Sequence, residues 1–206
     1  MSLQAPLVSS SLDEETARSE VYGLLAALYY AAPAPSLVNN LRVAVTEAPA
    51  AGALLEASWQ DLVASARRLP NEAVVREYDA LFAGVGKPEV YLFGSHYLSG
   101  FLNEKPLAAL RTDLAELGLT RDEAMPETED HFAYLCEVMR YLIAGDDVEV
   151  ANLTRQREFF SRHLQPWAMS LCEAIGAHPK ADFYRAAATF TQVFMSVEAQ
   201  GFDMLA

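Results

Sequence analysis

The chain has 206 residues, of which 52% are hydrophobic, and a formal net charge of −13. This length suits one domain with a sizeable core, and the composition is that of a globular protein and not of a disordered one. The negative charge argues against nucleic acid as the main partner, because a phosphate backbone is bound by a basic face. No stretch approaches the roughly 20 apolar residues of a membrane span, so we expect no stable membrane insertion.

The N-terminal residues have neither the basic region nor the apolar region of a secretory signal, which predicts a cytoplasmic protein. We expect residues 1–12 to be disordered or tag-like and residues 13–206 to form a single all-helical domain. The chain has two cysteines, Cys136 and Cys172. In a reducing compartment a disulfide is not expected, so both are predicted to be buried thiols.

Apolar residues recur at helical spacing along most of the chain, and prolines and glycines mark the breaks. The pattern predicts an all-α bundle of about eight or more helices with short connections. The helices are predicted from Asp13 to the prolines at 33 and 35, from a Ser36 cap, at 53–68, from Pro70 to Phe82, at 104–117, at 126–144, at 148–164, at 166–175 and at 182–200.

One segment departs from this pattern. The stretch AGVGKPEVYLFGSHYLSGF, residues 83–101, contains four glycines and one proline among interleaved aromatic residues. No helix is expected from Ala83 to Gly94, and the sequence predicts one long irregular loop at about 83–96. Because the loop is so apolar, we expect it to pack on the helical body or to line a groove.

The sequence offers little support for a metal or phosphate site. None of the four histidines stands three or four residues from another, and there is no Cys-x-x-Cys pair, so no metal site is predicted. Gly84, Gly86 and Lys87 superficially resemble a phosphate loop. Pro88 stands where that motif needs Ser or Thr, and no strand precedes it. No cofactor is expected.

The pair Asp130-His131 has three interpretations that the residues alone leave open. It could act as a general base, as a polar spot in a binding groove, or as a capped helix start with a partly buried histidine. On a helix, adjacent side chains would point about 100° apart, which does not favour a catalytic triad. A small helical enzyme that uses Asp130 and His131 as general base remains one alternative, and a permanent helical scaffold subunit is another.

Residues 113–149 carry −9 of the net charge, which predicts either a solvated face or a field that attracts a basic partner. In this stretch only Arg121 and Arg140 are basic, and the acids are Asp113, Glu116, Asp122, Glu123, Glu127, Glu129, Asp130, Glu137, Asp146, Asp147 and Glu149.

Three ordered stretches carry a family resemblance: EYDALFAGVGKPEVYLFGSHYL from Glu77, MPETEDHFAYLCEVMRYL from Met125, and QREFFSRHLQPWAMSLCEAI from Gln156. Together they resemble the TorD/DmsD family of cytoplasmic molybdoenzyme chaperones, also called redox enzyme maturation proteins and related to the NarJ type. The residues that match the family pattern are Tyr78, Leu81, Phe82 and Gly84, then Phe93, Gly94, Ser95 and Tyr97, then Glu127, Asp130 and His131, then Phe159, His163, Leu164 and Trp167.

The resemblance implies an all-helical protein that is not an enzyme. Such a chaperone binds the twin-arginine signal peptide, or the apo form, of a dimethyl sulfoxide reductase-class molybdoenzyme until its cofactor is inserted. It further implies leader contacts at Leu81, Phe82, Phe93, Gly94, Ser95, Tyr97, Asp130 and His131. Guanine nucleotide is a minor possibility in the family. Family members often carry proline and tryptophan before Gly-Ser, whereas this chain has Phe93 in the tryptophan place, a departure that bears on the identity of the client.

A twin-arginine leader has a basic stretch followed by an apolar one, so its binder needs acids beside an apolar wall. Glu127, Glu129 and Asp130 are predicted to supply carboxylates for arginine. The hypothesis expects Asp130→Ala and His131→Ala to weaken leader binding without unfolding the protein. Monomer and domain-swapped dimer are both compatible with the sequence.

Overall fold

Ten helices make up the chain where the computed structural model describes it, at residues 8–46, 54–83, 87–122 and 124–204. These residues contain no strand beyond one isolated bridge. The helices are α1 (Val8–Tyr30), α2 (Pro35–Val43), α3 (Glu56–Arg68), α4 (Asn71–Phe82), α5 (Gly94–Ser99), α6 (Lys105–Glu116), α7 (Phe132–Ala144), α8 (Leu153–His163), α9 (Gln165–Ala177) and α10 (Phe183–Asp203). The prediction of a single-domain all-α bundle is confirmed.

Several boundaries differ from the sequence prediction. Helix α1 begins at Val8 and not at Asp13, because an established helix extends at one hydrogen bond per added residue. Helix α2 begins at Pro35, whose ring fixes φ and whose missing N–H costs nothing at the first helical position, so Ser36 is not the cap. The irregular loop ends at Phe93, because α5 begins at Gly94. Residues 1–7 and 84–86 lie outside the described residues.

The start of α7 is the largest difference. A helix was predicted from Pro126, but residues before Phe132 are not helical, and α7 runs only to Ala144. The reason is tertiary: the N–H of Phe132 donates to the carbonyl of Leu92 at 2.8 Å. Likewise α8 begins at Leu153 and not at Val148, because the side chain of Asn152 caps it.

The core is a continuous aromatic and aliphatic cluster. Helix α1 packs along α7, and α10 packs against α9 and α3. The largest fully buried side chains include Tyr22, Tyr29, Phe132, Trp167 and Tyr184. Each such side chain contributes about 1.5–3 kcal/mol through removal of apolar surface from water, so this cluster holds the helices that frame the site.

Two buried carboxylates tie distant helices together. Glu77 on α4 accepts hydrogen bonds from the N–H groups of Asp182, Phe183 and Tyr184, at 2.7, 3.0 and 2.7 Å. It therefore caps the start of α10 from another helix. Glu198 on α10 receives two hydrogen bonds from the guanidinium of Arg18 on α1, at 2.7 and 2.9 Å.

No helix in the described part of the chain combines the length and the apolar character that crossing a membrane requires. Cys136 and Cys172 are both buried free thiols, as predicted. Burial raises the pKa of the Cys172 thiol to about 12, so this sulfur stays protonated.

Candidate functional site

Two of the three resembling stretches meet directly, at a place we call the motif junction, residues 90–95 and 128–132. The N–H of Gly94 donates to the carbonyl of Asp130 at 2.9 Å. Phe93 and His131 form an isolated antiparallel bridge. The junction is thus a short piece of extended pairing between the irregular loop and the segment before α7. In extended backbone, successive side chains point to opposite sides, so Asp130 and His131 face different parts of the molecule.

Asp130 is 3% exposed, and its carboxylate is used inside the protein. One oxygen accepts from the N–H of Ser95 at 2.8 Å, and the other accepts from the hydroxyl of Thr128 at 2.6 Å. Charge-assisted bonds of this kind are stronger than neutral ones. In this state, Asp130 positions the start of α5 and does not present its charge to solvent.

His131 is the N-cap of α7. Its Nδ1 accepts from the N–H of Ala133 at 3.2 Å, and its ring contacts those of Phe93 and Tyr134, with centroids 5.1 and 5.5 Å apart. Burial lowers the pKa of His131 to about 4, although the charge of Asp130 acts in the opposite direction. The ring is therefore neutral near pH 7, with Nδ1 occupied, an arrangement suited to capping and not to general base catalysis.

A cavity of about 200 Å³ opens on the Asp130 side of the junction. Its lining is largely apolar and comes from α5, α6, α7 and the α8–α9 corner, namely Gly94, Ser95, Leu98, Pro106, Ala109, Leu110, Asp130, Leu135, Arg162, His163 and Trp167. The hydroxyl oxygen of Ser95 lies buried there and has no hydrogen-bond partner among the described residues. A buried polar atom beside an apolar wall is a common feature of a binding pocket.

Trp167 forms the back of this cavity. Its indole N–H donates to the carbonyl of His163 at 2.6 Å. A Cβ placed on Gly94 would lie 3.0 Å from the indole nitrogen, so the glycine permits close approach of α5 and α9. Tyr97 stacks on the same indole with centroids 5.5 Å apart, and its hydroxyl donates to the carbonyl of Tyr91.

The remaining predicted residues lie elsewhere. Leu81 is fully buried, and its carbonyl accepts from the N–H of Val90. Phe82 packs edge-on against Tyr78 and Tyr184, with centroids 5.1 and 5.0 Å apart. Glu127 is half-buried. The burial of Tyr78 raises the pKa of that tyrosine, and the charge of Glu127 raises it further. The structure thus brings Gly94, Ser95 and Asp130 around one cavity, while Phe93 and His131 pair on the other side.

The predicted set of arginine-binding acids is partly engaged within the protein. Glu129 receives two hydrogen bonds of 2.9 Å from the guanidinium of Arg111. Asp113, an acid of the segment 113–149 outside that predicted set, binds Arg162 and His163 at 2.7 and 2.6 Å beside the cavity. Among the described residues, Glu127 forms no ion pair with a basic side chain.

Sequence reasoning missed an exposed apolar lip formed by Leu98, Phe101 and Leu102, of which Leu98 lines this cavity. Phe101 is 71% exposed, and the other two are each more than 40% exposed. Leu98 lies in the last turn of α5, and Phe101 and Leu102 follow Gly100, which ends that helix with φ +80°. Its only signal in the sequence was an apolar pair directly after a helix stop, with no helical stripe to bury it.

Taken over the residues that the structure describes, no group of three or more His, Cys, Asp or Glu side chains could hold a metal ion. The geometry is that of an all-helical protein with a cavity beside an extended junction.

The chain belongs to the nitrate reductase delta subunit family, whose model matches residues 48–173. It is 24% identical over 204 residues to the chaperone protein TorD of Vibrio cholerae serotype O1, a match that covers 91% of this chain and 93% of that protein. The TorD protein of a second strain of that serotype is 28% identical over 112 residues, covering 52% of this chain and 51% of the relative.

The fold is similar to the crystal structure of a protein described as a redox enzyme maturation protein from Archaeoglobus fulgidus. That match has a TM-score of 0.55 and 15% identity, and it covers 97% of this chain and 98% of the other. These comparisons confirm the predicted resemblance. The TorD relatives are named as chaperones and not as enzymes, in agreement with the prediction of a TorD-like chaperone of redox enzyme maturation.

Proposed function

We propose that this protein is a cytoplasmic chaperone that binds the twin-arginine signal peptide, the apo form, or both, of a dimethyl sulfoxide reductase-class molybdoenzyme. In this role it assists cofactor insertion and holds back export. Its mechanism is reversible capture of a peptide segment, with no bond made or broken.

The observation that carries the proposal is the exposed apolar lip beside the junction cavity. A soluble protein rarely leaves such side chains together in water without a partner. Leu98 joins the lip to a cavity lined by Leu110, Leu135 and Trp167, so an apolar peptide side chain could enter the cavity while its backbone lies along the lip.

Charge supports a basic leader. The acidic segment 113–149 produces a negative field near α6 and α7 that attracts a cation over a distance of about 10 Å at ordinary salt. Because Asp130 is bonded to Ser95 and Thr128, we assign it to shaping the pocket. Contact with the arginines is assigned to acids that are less engaged, among them Glu127.

A fluorescently labelled twin-arginine leader, measured by anisotropy, tests this assignment. Leu98→Asp and Phe101→Asp place charge on the lip and are expected to weaken binding at least about tenfold, equivalent to about 1.4 kcal/mol. Val43→Asp is the matched control, since Val43 is 80% exposed on α2, a helix that does not line the cavity. Equal affinities of all four proteins for the leader would overturn the assignment of the lip.

A further inference from the structure

A second groove lies away from the motif junction, between α1 and α10. Its volume is about 600 Å³, against about 200 Å³ for the junction cavity. Apolar side chains form most of its wall, including Val21, Leu55, Phe194, Val197 and Phe202. A cleft of this size and character can hold several apolar side chains.

At the floor of this groove, a buried acid and a partly buried base are paired with each other. Glu198 is 4% exposed and binds Arg18 through two hydrogen bonds. Tyr22 donates to the same carboxylate at 3.0 Å, and Gln156 accepts from Arg18 at 3.1 Å. Because each charge at the floor has a partner, the net charge of the groove comes from its rim.

The rim is acidic and apolar. Glu14 and Glu15, in the N-terminal part of α1, line the groove. Glu15 is close enough to Arg18 for their charges to interact, but among the described residues neither glutamate is within ion-pair distance of a cation. Leu54 is 69% exposed and Leu153 is 44% exposed on the same rim. An occupant must therefore bring apolar side chains on one side and positive charge beside them.

We propose that the groove between α1 and α10 docks a basic amphipathic helix of a partner protein. In this mode, leucine-like side chains at helical spacing enter the groove, and lysine or arginine contacts Glu14 and Glu15. A second copy of this chain is disfavoured as the occupant, because two chains of charge −13 repel each other. The inference rests on the proposed function only in that the helix would belong to the body of the client enzyme and not to its leader.

The test uses a designed helical peptide of leucine and lysine, with leucines at i, i+3, i+4 and i+7, titrated into the full chain by fluorescence anisotropy. The same peptide with glutamate in place of lysine is its control. We expect the double variant Leu54→Asp/Leu153→Asp, and separately Glu14→Lys/Glu15→Lys, to weaken binding at least about tenfold. The matched controls are Val43→Asp and Glu20→Lys. Glu20 is exposed on α1 and does not line the groove.

Circular dichroism melting of each variant separates loss of binding from loss of folding. The proposal is overturned if wild type does not bind the basic peptide, if the glutamate peptide binds as well, or if the control variants lose as much affinity as the groove variants. A dimer in sedimentation equilibrium that the Leu54→Asp/Leu153→Asp variant dissociates would assign the groove to a second copy instead. Leader binding by the groove variants is expected to remain intact, so failure here is distinguishable from failure of the proposed leader site.

Discussion

The carboxylate of Asp130 accepts a hydrogen bond of 2.8 Å from the N–H of Ser95, while the carbonyl of Asp130 accepts from the N–H of Gly94 at 2.9 Å. One residue thus satisfies the first two N–H groups of α5 from a segment 35 positions away. This pairing makes the motif junction, and it places Ser95 on the wall of the cavity.

Asp130→Ala is expected to lower the free energy of unfolding by about 2–4 kcal/mol, because a charged acceptor is lost and the Ser95 N–H is left buried. Urea denaturation measures this directly. Thr128→Val, which removes only one hydroxyl donor, should cost about 1 kcal/mol. An unchanged midpoint of unfolding would refute the structural role of Asp130. It would support instead the hypothesis that Asp130→Ala affects leader binding alone.

Stability should fall at mildly acidic pH because of His131. Burial lowers the pKa of this ring to about 4 in the folded protein, against an opposing effect of Asp130, whereas in the unfolded chain the ring titrates near about 6.5. The unfolded state therefore binds the proton first. The free energy of unfolding has its full value above about pH 6.5 and decreases as the pH falls towards 4.

At pH 5 this loss should reach about 2 kcal/mol relative to pH 7.5. His131→Asn is the matched variant, since asparagine keeps a side-chain acceptor for the Ala133 N–H but does not titrate. Urea unfolding at the two pH values should show a smaller pH-dependent loss for His131→Asn. Identical losses would mean that His131 does not titrate as its burial requires.

Gly94→Ala is expected to destabilise the protein by about 1–3 kcal/mol through overpacking. The added Cβ would stand 3.0 and 3.1 Å from two atoms of the Trp167 indole, a ring that is 1% exposed and cannot easily move. Gly176→Ala on α9 is the control, because nothing lies within 4 Å of its Cβ position. That change should stabilise the helix by about 0.5–1 kcal/mol. Thermal melting that gives both variants the same sign of change would contradict the close approach at Gly94.

Glu77→Ala should cost about 3 kcal/mol, because three N–H groups at the start of α10 lose a charged acceptor at once. Asp79→Ala on the same helix alters an exposed carboxylate and should remain within about 0.5 kcal/mol of wild type. Hydrogen exchange of the α10 amides locates the effect. Unchanged protection near Tyr184 in Glu77→Ala would show that α10 does not depend on this cap.

The helical body was largely predictable, because proline, glycine and the 3.6-residue period are local signals. The stop of α7 at Gly145 and the run of α4 to Phe82 were read from such signals alone. The start of α7 could not be predicted from local signals, because it depends on the pairing of Phe93 with His131, two residues far apart in the chain. A local pattern carries no information about such a bridge.

The buried acids were missed for a different reason. Glu77 stands among Val74, Tyr78 and Leu81 on an apolar stripe, and Glu198 stands four residues from both Phe194 and Phe202. A single carboxylate within such a stripe is the available signal for a buried, partnered acid. Which groups it binds depends on helix packing, which the sequence does not give.

The proposed function is tested most directly by calorimetric titration of the wild-type protein at low and at high salt. The ligand is a synthetic twin-arginine leader from a molybdoenzyme that is encoded near the gene of this protein. The account predicts saturable binding, weaker at high salt because acids contact the arginines, and weaker again when both arginines are replaced by glutamine. Heats that show no binding for any such leader at low salt, from a protein that is folded by circular dichroism, would contradict leader capture.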